Sequence, residues 1–205
     1  MRVAVVGGTG PFGKALAIRL REAEVEVVVG SRDAERAAET AAELGVAGAT
    51  NADAVIGADL VVLAVNAEAA VDTARLLRKP IGTTPVLSVA SDLRFTPDGV
   101  VLAIDRMSLA ERIQEELDGP VAAGLHSLAA SNLAAAAPEE DALVCGNDPE
   151  AKALVLELAS RVVTGRALDA GSLASARALE NLTALIVNLN KRYRAHAGIR
   201  VTGIS

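Results

Sequence analysis

The sequence predicts an α/β protein of the Rossmann type, with a doubly wound, mainly parallel sheet and a small C-terminal α/β extension that ends in a long helix. Short apolar runs alternate with helical patterns, and a glycine-rich turn follows the first run. These runs are apolar throughout, which is typical of parallel strands covered by helices on both faces. The first four predicted strands are residues 3–6, 25–29, 60–65 and 85–89.

Two amphipathic helices separate the first three strands. Residues 14–23 place Leu16 and Leu20 on one face at helical spacing, and residues 33–44 are alanine-rich with charges outward. Asp33 is the expected N-cap of the second helix, and Gly45 follows it where a left-handed residue is favoured. The resulting βαβαβ order implies right-handed crossovers and a doubly wound sheet.

The second half of the chain has a less regular pattern. Loop signals surround a predicted helix at residues 107–117, strands are expected at 121–125 and 143–145, and a further helix is expected at 149–162. A long helix is predicted from about residue 173 to 195. We therefore expect a Rossmann-type domain at residues 1–145 and a small C-terminal extension at residues 146–205.

Composition excludes several classes of function. Twenty basic and 26 acidic residues give a net charge of −6 without a block of like charge, so nucleic acid is not an expected partner. The apolar run at residues 60–65 is far too short to cross a membrane. The lone Cys145 allows no internal disulfide and fits a cytoplasmic protein. No histidine or carboxylate stands at metal-ligand spacing, so no metal site is expected.

The turn after the first strand has the spacing of a dinucleotide-binding motif. Gly8 is expected to begin the turn, Gly10 to let the backbone approach a pyrophosphate, and Gly13 to let the next helix lie close to the sheet. The free N–H groups and positive dipole end of that helix suit phosphate groups.

The end of the second strand indicates which dinucleotide is bound. NAD enzymes usually have an acidic residue there for the ribose 2′-hydroxyl, whereas this chain has Ser31 and Arg32, with Arg36 one helical turn further. A serine hydroxyl and two guanidinium groups suit a 2′-phosphate. The sequence therefore predicts NADP.

Both ends of the chain resemble a known family. Residues 1–10, MRVAVVGGTG, with Gly30-Ser31-Arg32, and at the other end Glu180-Asn181-Leu182-Thr183 with residues 190–202, are similar to the NADPH-dependent reductases of the deazaflavin coenzyme F420. The resemblance implies hydride transfer between nicotinamide C4 and deazaflavin C5, with the rings stacked in a cleft and no catalytic side chain. It also implies that residues 1–145 bind NADP, that the extension at 146–205 contributes to the substrate cleft, and that the extension takes part in a homodimer.

The resemblance carries over two sets of contacts. The NADP contacts fall on the turn residues Thr9, Gly10, Pro11 and Phe12, on Ser31, Arg32 and Arg36, and on Ala67, Val71, Ser91 and Ala130. The deazaflavin contacts fall on Leu128, Ala129, Ala130, Ala197 and Gly198.

Two alternatives remain at this point. An NADPH-dependent reductase of another small substrate, an imine or a carbonyl compound, would keep the same cofactor site. A degenerate paralogue that senses NADP would fit Asn66-Ala67, where the family typically has Pro-Trp, and the short segment from residue 91 to 107. Arg177 and Asn181 occupy the spacing of a catalytic lysine and asparagine in hydroxyacid dehydrogenases, but arginine cannot act as that acid.

Overall fold

A computed structural model of the chain describes residues 1–103 and 106–204. One eight-stranded sheet crosses the described part, in the order β10-β9-β8-β5-β4-β1-β2-β3, and a separate two-stranded ribbon pairs β6 with β7. All neighbouring strands of the large sheet are parallel except β8 and β9. The α/β class and the mainly parallel, doubly wound sheet are confirmed.

The element bounds are as follows. The strands are β1 Arg2–Val6, β2 Glu26–Ser31, β3 Ala47–Thr50, β4 Leu60–Leu63, β5 Val86–Ser88, β6 Leu93–Thr96, β7 Gly99–Leu102, β8 Val121–Gly124, β9 Ala142–Gly146 and β10 Ala167–Asp169. The helices are α1 Pro11–Glu22, α2 Ala34–Leu44, α3 Asn51–Ala54, α4 Ala67–Ile81, α5 Leu109–Glu116, α6 Ala130–Ala135, α7 Pro149–Val162 and α8 Ala176–Tyr193, the last preceded by a 3-10 turn at Leu173–Ser175.

The central strands are buried on both sides because each face of the sheet carries its own apolar core. On one face Leu16 and Leu20 of α1 pack with Leu158 of α7. On the other, Leu77 of α4 packs with Ile113 of α5. Since β1 lies between β2 and β4, the strand order reverses direction beside β1, and this is where open α/β sheets form a ligand crevice.

The predicted helix ends agree with the structure where local chemistry defines them. The Asp33 carboxylate accepts hydrogen bonds from the backbone N–H groups of Glu35 and Arg36, and Gly45 adopts φ 66° at the end of α2. Pro149–Val162 is helical over the predicted residues. These signals are local, so the sequence alone determines them.

Several elements were not predicted. The edge strand Ala47–Thr50 and the short strand Ala167–Asp169 are partly exposed and lack a continuous apolar run, and the strands β6 and β7 are joined by a short turn at residues 97–98. Ala67–Ile81 is helical even though Pro80 stands in its last turn. Contacts with neighbouring strands and helices stabilise these segments, and the residue patterns of the segments themselves do not indicate such contacts.

The predicted long helix near the C-terminus is confirmed, within two or three residues of its predicted bounds. Helix α8 stops at Tyr193, Arg194 takes a left-handed φ of 52°, and the following residues run back along the protein. Asp141, fully buried, holds this return segment by accepting a hydrogen bond from the Val201 N–H at 2.8 Å. Its carboxylate also pairs with Arg166 at 2.7 Å, and this bond holds the pKa of Asp141 well below its usual range.

A buried carboxylate joins α8 to α5. Glu180, only 1% exposed, accepts hydrogen bonds from the backbone N–H groups of Leu109 and Ala110, both at 3.1 Å. Burial raises the pKa of Glu180 to about 7, and the two hydrogen bonds oppose that rise. The bonds satisfy free donors in the first turn of α5, so α8 is fixed relative to the sheet.

The predicted border at residue 145 falls within β9, and β10 beyond it belongs to the same sheet. The division into two units stays a prediction. Among the described helices, none combines the length and the hydropathy that crossing a bilayer requires.

Candidate active site

A groove runs along the carboxyl ends of the central strands and consists of two connected hollows. The outer hollow, about 380 Å³, lies beside β1 and β2, and the inner hollow, about 230 Å³, lies beside β5 and β8. Both are lined by Gly10, Ala64, Val65 and Asn66, which form the junction between them. The groove therefore occupies the crevice where the strand order reverses.

The glycine turn begins one residue earlier than predicted. Gly7 has φ +77°, a conformation that side-chain-bearing residues rarely adopt, and the Gly10 N–H donates to the Gly7 carbonyl at 3.0 Å. Gly8, expected to begin the turn, donates its N–H to the carbonyls of Val5 and Gly30. In the sequence, the two adjacent glycines Gly7 and Gly8 directly after the strand indicate that the turn can begin at Gly7.

Gly13 has the packing role that the sequence predicted. A Cβ atom at Gly13 would lie 2.6 Å from the Gly8 Cα atom and 2.8 Å from the Gly7 oxygen. At Gly10 the nearest atom to a Cβ would be 3.4 Å away, so that side of the turn is open. Gly13 thus permits close contact between helix and turn, while Gly10 leaves room beside the backbone.

The N-terminus of α1 has free donors at the junction of the two hollows. Its N-cap is Gly10, Pro11 occupies the first turn, and no acidic residue stands there. By contrast, α2, α5 and α7 are capped by the side chains of Asp33, Ser108 and Asp148. The donors and dipole of α1 are therefore directed at a space of phosphate size, so these residues fit the pyrophosphate of a dinucleotide.

Ser31, Arg32 and Arg36 meet in the outer hollow. Ser31 is buried, and its hydroxyl oxygen accepts a hydrogen bond from the Asp33 N–H at 3.2 Å. Both arginines are exposed, and neither forms an ion pair with any other residue in the described part of the chain. Two unpaired guanidinium groups beside a serine fit the 2′-phosphate of NADP.

Sequence reasoning missed Asn51 in the same hollow. Asn51 is 9% exposed at the start of α3, and its Oδ1 atom lies 3.4 Å from the Gly7 nitrogen. A Cβ atom at Gly30 would meet this oxygen at 2.8 Å. Nothing in the local pattern marks Asn51, because its position depends on the pairing of β2 with β3.

The inner hollow is assembled from segments that are far apart in sequence and carries no charged side chain. Its lining is Gly10, Pro11, Phe12, Ala64, Val65, Asn66, Val89, Ala90, Ser91, Leu93, Leu125, His126, Leu128 and Thr183. The Ser91 and Thr183 hydroxyl oxygens are 2.8 Å apart, and Thr183 donates to the His126 carbonyl at 2.9 Å. These two bonds join three separate segments at one wall of the hollow.

His126 is buried in this wall with an uncharged ring. It is 6% exposed, and neither ring nitrogen has a hydrogen-bond partner of normal geometry among the described residues. Burial lowers the pKa of His126 to about 4, although an interaction with the Ala90 backbone opposes the shift. The preceding Leu125 has φ 64°, a strained conformation for leucine. The left-handed conformation of Leu125 changes the direction of the chain after β8, and His126 and Leu128 then line the hollow.

Of the remaining predicted NADP contacts, Thr9 lines the outer hollow, whereas Ala67, Val71 and Ala130 lie outside the groove lining. Ala67 and Val71 on α4 pack against the core, whereas Ala69 and Thr73 of the same helix line the outer hollow. Ala130 is the first residue of α6 and follows Leu128 of the inner hollow. The helical face turned toward the groove was not evident from sequence, because α4 itself was not predicted.

The predicted deazaflavin contacts are not brought together. Leu128 lines the inner hollow and Ala129 is the N-cap of α6. Ala197 donates its N–H to Asn190 Oδ1 at 2.6 Å, and Gly198 borders a separate hollow of about 440 Å³ beside Glu140 and Arg200. Ser131 of α6 lies against this segment, with its Oγ atom 3.4 Å from His196 Nδ1, so Leu128 is the member of the set that lines the inner hollow.

Other reactive side chains are not arranged for chemistry. Burial raises the pKa of the Cys145 thiol to about 11, so the thiol stays protonated. Arg177 and Asn181 border a shallow hollow with Leu102 rather than the inner hollow. No three His, Cys, Asp or Glu residues among those described converge as metal ligands do.

Comparison with known proteins agrees with this geometry. A family model described as NADP oxidoreductase, coenzyme F420-dependent, matches residues 2–92. The F420-dependent NADP reductase of Methanothermobacter thermautotrophicus is 36% identical over 100% of this chain and 96% of its own length. That of Methanocaldococcus jannaschii is 32% identical over 100% of this chain and 99% of its own length.

Comparison of three-dimensional structures indicates the same family. A crystal structure from Arthrobacter sp. FB24, provisionally described as an F420-dependent NADP reductase, superimposes with a TM-score of 0.87 at 25% identity, covering 99% of this chain and 100% of that one. Similarity at this level spans both the glycine turn and the C-terminal segments. The chain belongs to the family of F420-dependent NADP reductases.

Proposed function

We propose that this protein transfers a hydride between NADPH and coenzyme F420. The observation that carries the proposal is the continuous groove, which joins an arginine-lined outer hollow to an uncharged inner hollow through the open N-terminus of α1. The names of the curated relatives support both reaction partners. A dinucleotide lying along this groove has its 2′-phosphate at one end and its nicotinamide at the other.

The proposed NADP site follows the groove. Arg32 and Arg36 bind the 2′-phosphate, Ser31 bonds to it, and the first turn of α1 binds the pyrophosphate. The full proposed set is Gly8, Thr9, Gly10, Pro11, Phe12, Gly13, Ser31, Arg32, Arg36, Ala67, Val71, Ser91 and Ala130. Gly8 and Gly13 act by shaping the turn, since their missing side chains leave space for backbone contacts.

The inner hollow is the proposed place where the two rings meet. The coenzymes supply the chemistry, in which a hydride passes between nicotinamide C4 and deazaflavin C5 and a solvent proton completes the reduced deazaflavin. The protein's residues position the rings and exclude water. An uncharged His126 matters here, because a charged imidazole would oppose the positive charge of an oxidised nicotinamide. The proposed deazaflavin contacts are Leu128, which lines this hollow, and Ala129, Ala130, Ala197 and Gly198, which lie outside its lining.

An anaerobic absorbance assay tests the function. Protein, NADPH and oxidised F420 are mixed, and we expect the visible absorbance of the deazaflavin to disappear. NADH serves as the matched control, since it lacks the phosphate that the arginines bind. Protein that binds NADPH but leaves F420 oxidised contradicts the proposal, and NADPH oxidation by an imine or carbonyl compound would then indicate another acceptor.

We also propose that the protein is a cytoplasmic homodimer. The exposed side chains of Leu185 and Tyr193, both on α8, support a contact between subunits, and the single cysteine supports a reducing compartment. Light scattering of the purified protein gives the mass, and a monomer at micromolar concentration would contradict the dimer.

A further inference from the structure

An exposed aromatic ring lies on the ribbon that forms one edge of the inner hollow. Phe95 is 75% exposed on β6, although Leu93 on the same strand lines the hollow. Residues two apart in a strand share a face and are separated by about 7 Å. Phe95 is thus the next side chain outward from the hollow on the face that Leu93 presents to it.

The ribbon that carries Phe95 is held in place by α8. Asn188 pairs with both backbone groups of Val100, accepting from its N–H at 2.8 Å and donating to its carbonyl at 2.7 Å. Val100 stands directly opposite Phe95 in the ribbon. At the turn, the Thr96 hydroxyl donates to the Gly99 carbonyl at 2.8 Å. The ring is therefore presented by an anchored backbone, which lowers the entropy cost of a contact with a ligand.

The other aromatic residues cannot cover a second ring in the hollow. The chain contains two phenylalanines, one tyrosine and no tryptophan. Phe12 lines the inner hollow from the first turn of α1, is partly buried against the core, and already belongs to the proposed NADP site. Tyr193 lies ten residues beyond Thr183 along α8, which places it about 15 Å from the hollow. Phe95 is left as the aromatic residue at the outward side.

We infer that Phe95 stacks on the outward face of the deazaflavin and sets the preference for a flat, fused-ring acceptor. This inference rests on the proposed function. Aromatic side chains stack on heterocyclic rings with useful affinity, and a phenylalanine ring anchored beside the hollow can do so. A small imine or carbonyl compound has no ring that could reach both the nicotinamide and Phe95.

Three variants of the full-length protein test the assignment. For Phe95→Ala we expect the KM for F420 to rise about tenfold, with the Kd for NADPH unchanged. Phe95→Tyr keeps a six-membered ring and should restore a KM close to that of the wild type. Val101→Ala is the matched control, because Val101 is an exposed apolar residue on the opposite face of the same ribbon.

Quenching of F420 fluorescence gives the affinity without turnover, so binding is measured separately from hydride transfer. If the wild type binds no F420, the proposed function and this inference both fail. If the wild type binds F420 and Phe95→Ala binds it equally well, only the inference fails. An equal loss in Val101→Ala, or a changed molecular mass of Phe95→Ala by light scattering, would instead assign Phe95 to a general ribbon or subunit contact and overturn the inference.

Discussion

The two hollows of the groove differ in charge and in how the chain builds them. The outer hollow is lined by Arg32, Arg36 and Asp33, and its key residues lie within the first 36 positions or, for Asn51, directly after β3. The inner hollow has no charged lining residue and draws on segments around residues 12, 91, 126 and 183. A phosphate-binding site can be formed by a short sequence motif. An uncharged site for two rings requires several segments distant in sequence to come together.

The junction between the hollows gives the largest expected effects. Gly13→Ala places a methyl group 2.6 Å from backbone, so we expect a loss of about 3 kcal/mol in the free energy of unfolding, together with loss of NADPH binding. Gly10→Ala places its methyl group in the open side of the turn and should weaken NADPH binding about a hundredfold, or about 3 kcal/mol. Urea unfolding and calorimetric titration measure the two quantities.

The pair of alanine variants separates fold from binding. We expect Gly10→Ala to unfold at the same urea concentration as the wild type, because its new methyl group meets no atom closer than 3.4 Å. If Gly10→Ala binds NADPH normally, the phosphates do not pass beside this residue, and the outer and inner hollows do not serve one ligand.

Burial of His126 in the wall of the inner hollow should make the free energy of unfolding depend on pH. The pKa of His126 is lowered in the folded protein to about 4, from about 6.5 when unfolded, so the unfolded chain binds more protons between these values. Its contribution is fully present above pH 6.5 and is lost as the pH falls toward 4. We expect the wild type to lose about 2 kcal/mol of this contribution between pH 7.5 and pH 5. Urea unfolding across this range measures it.

His126→Asn should remove the contribution of His126 to the slope of the unfolding free energy against pH. Glu180, whose pKa is raised to about 7, has the opposite slope between pH 4.5 and 7, but it is present in both proteins and cancels in the comparison. His196→Asn alters an exposed ring and is the control. An unchanged slope in His126→Asn would mean that the ring is solvated and that the inner hollow is open to water.

The outer hollow gives a smaller and more selective effect. Arg32→Ala should weaken NADPH binding about tenfold, close to 1.4 kcal/mol, because a charge-assisted bond to the 2′-phosphate is lost. Binding of NADH should be nearly unchanged. Arg161→Ala, which removes an arginine from the exposed surface of α7, is the control. Equal losses for both coenzymes would place Arg32 outside the phosphate site.

The sequence by itself determined the features that depend on neighbouring residues. The glycine turn, the N-cap at Asp33, the left-handed Gly45 and the cationic pair at Arg32 and Arg36 are all set by backbone conformation and chemistry within a few positions. The alternation of apolar runs with amphipathic helices also determined the fold class, because burial on both faces of a sheet leaves a continuous apolar pattern.

Only the tertiary structure decided the inner hollow. The convergence of Ser91, His126 and Thr183, the place of Asn51 beside Gly7, and the ribbon that presents Phe95 all depend on strand order and on the docking of α8. The placement of Leu128 and Gly198 in different hollows likewise follows from packing. Contacts between residues distant in sequence have no local pattern, since each half of the contact is stabilised only when the other is in place.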